Sequence, residues 1–191
     1  MKQKNSLLIA GVLIILPALL AVLLFLPSKQ SFFNTKAEPS SSAGTQEKEP
    51  EIFTTEDGQV LEEAIVTKVI DGDTIEINGS QQVRYIGINT PEISFTNGKD
   101  DCYGEEARRA NEELVGGKKV WLEKDVSETD KYGRLLRYIW SGELMINEYL
   151  VREGFANIAT YPPDIKHQDR LLKAQKEAVL SKSGLWKVCS N

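Results

Sequence analysis

Four short stretches of the chain carry side chains able to act on a charged, oxygen-rich substrate. Asp71-Gly72-Asp73-Thr74 sets two carboxylates and a hydroxyl on one tight turn, a donor set that suits hard cations such as calcium. Thr90-Pro91-Glu92 ends the third candidate strand with a carboxylate able to serve as a base, Tyr132-Gly133-Arg134 puts a guanidinium at a turn, and Arg84 stands between Val83 and Tyr85. Taken singly, each has an ordinary explanation. Asp and Gly make turns for conformational reasons, a Glu can simply close a strand, and strand or turn arginines usually face solvent. Composition narrows the chemistry further. The single histidine, His167, excludes sites built on paired histidines, and two cysteines exclude a Cys-based zinc finger or a disulfide-rich miniprotein.

The elements that must position these groups lie in the last two thirds of the 191 residues. Residues 64–70, 74–77 and 83–88 are β-branched runs separated by Asp71-Gly72 and Asn78-Gly79, the latter a strong hairpin signal. Residues 103–115 switch to helical spacing, with Ala107, Ala110 and Leu114 on one face, and Gly116-Gly117 stops the helix. Strands follow at 119–123 and 135–140, then a short helix at 144–153 closed by Gly154. A last helix, opened by Pro162-Pro163-Asp164, carries Leu171, Ala174 and Ala178 on one face as far as Gly184. Strands that precede their helices without crossovers point to a small β-rich α+β barrel and against a doubly wound sheet.

Ahead of this domain, residues 7–26 contain no charge, and 20 residues of helix span about 30 Å, a bilayer's hydrocarbon core. Lys2 and Lys4 place the N-terminus inside, so residues 1–27 read as a transmembrane anchor in the lipid bilayer, 28–60 as a flexible polar linker and 61–191 as the folded domain. A cleaved signal peptide, with a typical apolar region of about 7–15 residues, is the alternative. The domain would then be extracellular at the cell membrane, or secreted, and Cys102 and Cys189 are expected to form a disulfide.

The order Asp71-Gly-Asp-Thr, Val83-Arg-Tyr-Ile-Gly-Ile, Asn89-Thr-Pro-Glu, Tyr103-Gly-Glu-Glu-Ala and Asp130-Lys-Tyr-Gly-Arg-Leu-Leu closely resembles the thermonuclease (staphylococcal-nuclease-like) family. The tail, Asn147-Glu-Tyr-Leu-Val-Arg-Glu-Gly and Gly184-Leu-Trp, resembles it too. The resemblance implies an OB-fold five-stranded barrel with three helices and calcium-dependent phosphodiester hydrolysis of DNA and RNA. It implies Asp73, Asn89 and Thr90 (by its main-chain carbonyl) at the calcium, Glu92 activating water, and Arg84 and Arg134 gripping the phosphate. Lys131 and Tyr132 match positions that touch a nucleotide phosphate, and Tyr161 a base-stacking position.

Two departures stand out. Asn89 occupies a position where the family usually has Asp, which removes one negative charge from the ion site and is expected to weaken calcium binding. The chain is also acidic: of 23 basic and 28 acidic residues, five and three fall within the first fifty, leaving the remainder at a net −7. Nonspecific nucleic-acid binders normally carry excess positive charge, so weak ground-state affinity is expected. A catalytically inactive OB-fold module that binds nucleic acid or a protein at the cell surface is the alternative function. Asn89 is the residue that favours it.

Overall fold

Three β-branched runs separated by Asp-Gly and Asn-Gly turns fold back on one another. The computed structural model of the chain describes residues 52–189 except 56, 95–97 and 99–100. In chain order the elements are β1 (Glu62–Asp71), β2 (Thr74–Ile77), β3 (Gln81–Tyr85), β4 (Ile88–Asn89), α1 (Gly104–Val115), β5 (Lys119–Glu123), β6 (Leu135–Ser141), β7 (Leu144–Met145), α2 (Ile146–Arg152), β8 (Asn157–Ile158), α3 (Gln168–Ser181) and α4 (Leu185–Val188). The first three strands form an antiparallel meander, with Asn78 and Gly79 at φ 50° and 88° in the tight β2–β3 turn.

β1 serves two neighbours because it bends. Register shifts between Val66 and Lys68 and between Val69 and Asp71 let its first half pair with β5 and its second half with β2. β6 pairs with β5, and β3 then pairs with β6 in parallel, Arg84 opposite Leu136, to close a five-stranded barrel. Inward-facing Ala64, Val66, Ile75, Val83, Val120 and Ile139 fill it. Asn147 on α2 is buried and works as a bracket: its Oδ1 accepts the Ile139 N–H at 2.8 Å, and its Nδ2 donates to the Ile86 carbonyl at 2.9 Å. That pins α2 across the barrel where β3 gives way to a turn.

The expected barrel with helices is present, and several boundaries move. The third strand stops at Tyr85 rather than continuing to Ile88, because Gly87 adopts φ 79° and turns the chain into β4, which pairs with β8. Leu144 and Met145 extend β6 as a hairpin before α2 begins. Pro162-Pro163-Asp164 does not open the last helix. A residue preceding proline is held out of the α region, the Asp164 N–H bonds the Tyr161 carbonyl, and α3 starts only at Gln168. A fourth helix, α4, brings Cys189 to Cys102, and the expected disulfide is formed, with the Cα atoms 5.9 Å apart. Part of the stretch read as the end of the linker is ordered against the barrel: the Phe53 ring lies 5.2 Å from that of Trp121, and Thr54 bridges Val60. No helix among the described residues is long and apolar enough to cross a membrane. The expected anchor, residues 1–27, lies outside the described residues.

Candidate active site

The turn between β1 and β2 is shaped by its own aspartates. Asp71 Oδ1 accepts the Asp73 N–H at 3.0 Å, and Asn111 on α1 donates its Nδ2 to the Asp71 carbonyl at 3.1 Å while accepting the Tyr85 hydroxyl at 2.9 Å. Gly72 is required here because a Cβ at this position would stand 2.6 Å from the Thr90 side chain. The turn can therefore press against the segment after β4. Asp73 is buried, and its Oδ2 accepts the Thr90 N–H at 2.7 Å and meets Arg84 Nη1 at 2.6 Å, while its Oδ1 accepts the Thr74 hydroxyl at 3.3 Å. Burial pushes the Asp73 carboxyl upward, and the Arg84 guanidinium beside it pulls the other way.

Arg84 reaches two partners at once. Its Nη1 lies on Asp73, and its Nη2 donates to Asn89 Oδ1 at 2.8 Å; Asn89 in turn donates Nδ2 to the Thr90 carbonyl at 3.1 Å. Barrel closure brings the second arginine near. Arg134 stands one residue before β6, the strand that runs parallel to β3, and Arg84 and Arg134 line one cleft of about 470 Å³ with Lys131, Tyr132 and Tyr161. Asp130 fixes the approach to it. Its Oδ1 accepts the N–H groups of Tyr132 at 2.9 Å and Arg134 at 3.0 Å, and its Oδ2 accepts Arg134 Nε at 2.7 Å. Burial opposes the charge, but the Arg134 guanidinium and these N–H groups outweigh it and hold the Asp130 carboxyl below the usual carboxylate range. On the rim, Tyr132 and Tyr161 are 72% and 75% exposed. Lys131 Nζ and Arg134 Cζ sit 4.9 and 5.4 Å from the Tyr132 ring centroid.

Glu92 follows β4, exposed and outside the lining of the cleft. Its main chain is held tightly: its N–H donates to Asp101 Oδ2 at 3.2 Å, and its carbonyl accepts the Asp101 N–H at 2.9 Å. The start of α1 presses on the same point, since a Cβ on Gly104 would stand 2.8 Å from the Glu92 carbonyl oxygen. The disulfide at Cys102 anchors this approach to the C-terminal helix.

The structure thus joins Asp73, Arg84, Asn89 and Thr90 by direct hydrogen bonds, groups Arg84 with Arg134, Lys131, Tyr132 and Tyr161 in the cleft, and keeps Glu92 on the neighbouring loop. Asp73 Oδ, Asn89 Oδ1 and the Thr90 carbonyl are hard oxygen donors, one of them anionic, and the guanidinium bridging two of them shows that this spot stabilises positive charge. The donor set fits a hard divalent cation held with little protein charge; among the described residues no group of three or more His, Cys, Asp or Glu gathers for a metal. His167 lies elsewhere, its Nε2 3.0 Å from both oxygens of the buried Glu123 in a separate cavity. Sequence reasoning gave no role to Asp130, Asp101 and Asn111. The four-residue spacing of Asp130 and Arg134 around Gly133 was a usable signal for the first. The other two act across the fold and leave no local mark.

A family model described as Staphylococcal nuclease homologue matches residues 82–188. A thermonuclease of Staphylococcus hyicus is 38% identical over 157 residues, which cover 81% of this chain and 86% of that protein. A thermonuclease of Staphylococcus intermedius is 40% identical over 128 residues, 65% and 76% of the two chains. The endonuclease YncB of Bacillus subtilis (strain 168) is 40% identical over 124 residues, 62% and 59% of the two.

Proposed function

The chain belongs to the staphylococcal nuclease family, and from that premise we propose that it hydrolyses the phosphodiester backbone of DNA and RNA with calcium as cofactor. It is a metal-dependent nuclease. Asp73, the Asn89 side-chain oxygen and the Thr90 carbonyl would hold the ion, which when bound supplies positive charge to the phosphate and acidifies water. The rest is done by the chain itself. Arg84 and Arg134 grip the phosphate oxygens, where planar guanidiniums match tetrahedral oxygens in pairs and oppose the charge that develops in the transition state. Asp130 holds Arg134 in that direction. Glu92 takes the proton of the attacking water, a task suited to a carboxylate on a rigid main chain and needing no histidine. Lys131 meets a flanking phosphate, and Tyr132 and Tyr161 offer exposed rings beside the cleft for adjoining nucleotides.

The observation that carries this reading is the cleft in which Arg84 and Arg134, fifty residues apart in sequence, face one space while Arg84 is tied to Asp73 and Asn89. The test is plasmid and RNA digestion by the full-length, detergent-solubilised chain with calcium or with chelator. Cleavage should vanish in chelator. Arg134→Ala should slow it by about 10³ or more, and Glu92→Gln by about 10²–10⁴. Rates within threefold of wild type in both variants would refute the assignment. The uncharged run at 7–26 behind Lys2 and Lys4, together with a disulfide suited to an oxidising compartment, supports placing the nuclease outside a cell membrane on an N-terminal anchor.

A further inference from the structure

Each of the three groups assigned to the cation is already engaged, Asp73 chiefly through Oδ2. Asp73 Oδ2 meets Arg84 Nη1 at 2.6 Å and accepts the Thr90 N–H at 2.7 Å, Asn89 Oδ1 accepts Arg84 Nη2 at 2.8 Å, and the Thr90 carbonyl accepts Asn89 Nδ2 at 3.1 Å. The two terminal nitrogens of one guanidinium therefore span the carboxylate and the amide oxygen between which a divalent ion bound by both would sit. Two weaker contacts, Nη1 to the carbonyls of Asp73 at 3.4 Å and Tyr85 at 3.5 Å, steady it there. The Arg84 side chain is only 15% exposed and that of Asp73 6%, so water screens this pair poorly. Arg134 is different, because its carboxylate partner Asp130 belongs to its own turn and to no cation site.

We propose that Arg84 is an internal cation that occupies the divalent-ion seat in the substrate-free protein, so that guanidinium and metal exchange at Asp73. The proposal rests on the ion site assigned above. Two positive groups cannot both contact one buried carboxylate oxygen without strong repulsion, and Asn89 Oδ1, directed at the guanidinium, must be released before it can serve an ion. With an uncharged amide at position 89, the seat has one carboxylate, and Arg84 neutralises it fully. Metal affinity is thereby lowered by the fraction of molecules in which the seat is open. Arg84 is freed for a phosphate oxygen in the cleft when it leaves Asp73, which places the same side chain in two successive roles: guard of the ion seat, then ligand of the substrate.

The consequence runs opposite to what is ordinarily expected of a substrate-binding arginine, whose loss should leave metal affinity unchanged. The experiment is calorimetric titration of calcium alone, without nucleic acid, into the full-length chain in detergent. If the seat is open in about one molecule in ten, Arg84→Met should bind calcium about tenfold more tightly than wild type. Arg84→Lys keeps a charge but loses the two-point bridge. It should tighten binding by about threefold, and this conservative change keeps the test available if the methionine variant folds poorly. Asp73→Asn should abolish binding. Unchanged or weaker affinity in both Arg84 variants, with binding still lost in Asp73→Asn, would overturn the exchange and leave the ion site standing. Wild-type affinity in Asp73→Asn would overturn the ion site and the exchange with it.

Discussion

Replacing Asp130 by asparagine separates the geometry of Arg134 from its presence. The carboxylate makes three hydrogen bonds: Oδ1 takes the N–H groups of Tyr132 and Arg134, and Oδ2 takes Arg134 Nε at 2.7 Å. Asparagine keeps one oxygen, enough for the two backbone donors, so the turn before β6 should survive. It sets an amide N–H₂ against the Nε–H, donor against donor, and the guanidinium loses its charged partner. A hydrogen bond to a charged group contributes about 1.5–3 kcal/mol. If that energy serves only to aim Arg134 at the phosphate, its loss lowers kcat by roughly 10- to 150-fold at about 1.4 kcal/mol per decade. This is smaller than the loss expected for Arg134→Ala, because the charge remains in the cleft. Steady-state cleavage of a short fluorogenic oligonucleotide, with Tm measured in parallel, provides the assay. A kcat within twofold of wild type would show that Arg134 needs no partner to be aimed. A fall in kcat matched by a collapse in Tm would show that Asp130 only builds the turn. The acid side carries a second signature. The folded-state carboxyl titrates below its unfolded value, so its contribution to stability is complete above a pH of about 4 and is lost as pH falls further. The asparagine variant should lack that portion of the acid-unfolding curve.

Three other outcomes are expected. Replacing Cys102 and Cys189 by serine opens a link across 87 residues, worth about 4–5 kcal/mol in the chain-entropy treatment, and urea unfolding should show a loss of that order; a loss below 1 kcal/mol would contradict it. Buried Glu123 is pulled two ways, burial raising its carboxyl and His167 and Lys166 lowering it, and the lowering wins, so its stabilisation holds above a pH of about 4.5 and fades below. Glu123→Gln should therefore cost about 3 kcal/mol at pH 7, and the gap from wild type should narrow at pH 4; a gap that widens on acidification would reverse the sign. With three basic side chains facing the cleft, Arg84, Lys131 and Arg134, binding to double-stranded DNA should weaken with a log–log salt slope of about −2.7; a slope steeper than about −5 would mean that a larger basic surface is in play.

The strands were legible in sequence because turn chemistry and β-branched runs are local, and Asn78-Gly79 alone marked the β2–β3 hairpin. The end of β3 was not. Val83 to Ile88 reads as one strand, apolar apart from Arg84 and Gly87, and only the pairing of β4 with β8, seventy residues on, shows that Gly87 turns the chain. Pro162-Pro163-Asp164 misled for a related reason. Asp164 looks like a helix cap, yet its carboxylate accepts the N–H groups of Val126 and Ser127 at 3.1 and 2.7 Å and so holds a distant loop. For the site, the residue types at Asp73, Arg84, Asn89, Thr90, Arg134, Lys131, Tyr132 and Tyr161 were readable as motifs, whereas their assembly depends on a parallel β3–β6 pairing that no local pattern encodes. Asp101 is the plainest omission. It fixes the Glu92 main chain from nine residues away through a disulfide-anchored loop, and nothing around it in sequence suggests a function.

Charge accounting relates the acidic chain to a cleft that is lined by three cations yet close to neutral at rest. Arg134 is matched by Asp130 and Arg84 by Asp73, so the two arginines begin in neutral pairs, and the remaining cation of the cleft wall, Lys131, shares that wall with the carboxylate of Asp164. A protein with net charge −5 thus presents little field to nucleic acid before contact, and long-range steering is weak. On the proposed exchange, a divalent cation at Asp73 would release Arg84 from its partner and leave an ion and a guanidinium where a neutral pair had stood. An aspartate at position 89 would give the released guanidinium a second carboxylate to fall back on. Asparagine offers it a single neutral oxygen, so the phosphate becomes the better partner. On that account Asn89 weakens the resting metal site while favouring the state in which both cations face substrate, a difference of binding between ground and reacting states of the sort that raises turnover.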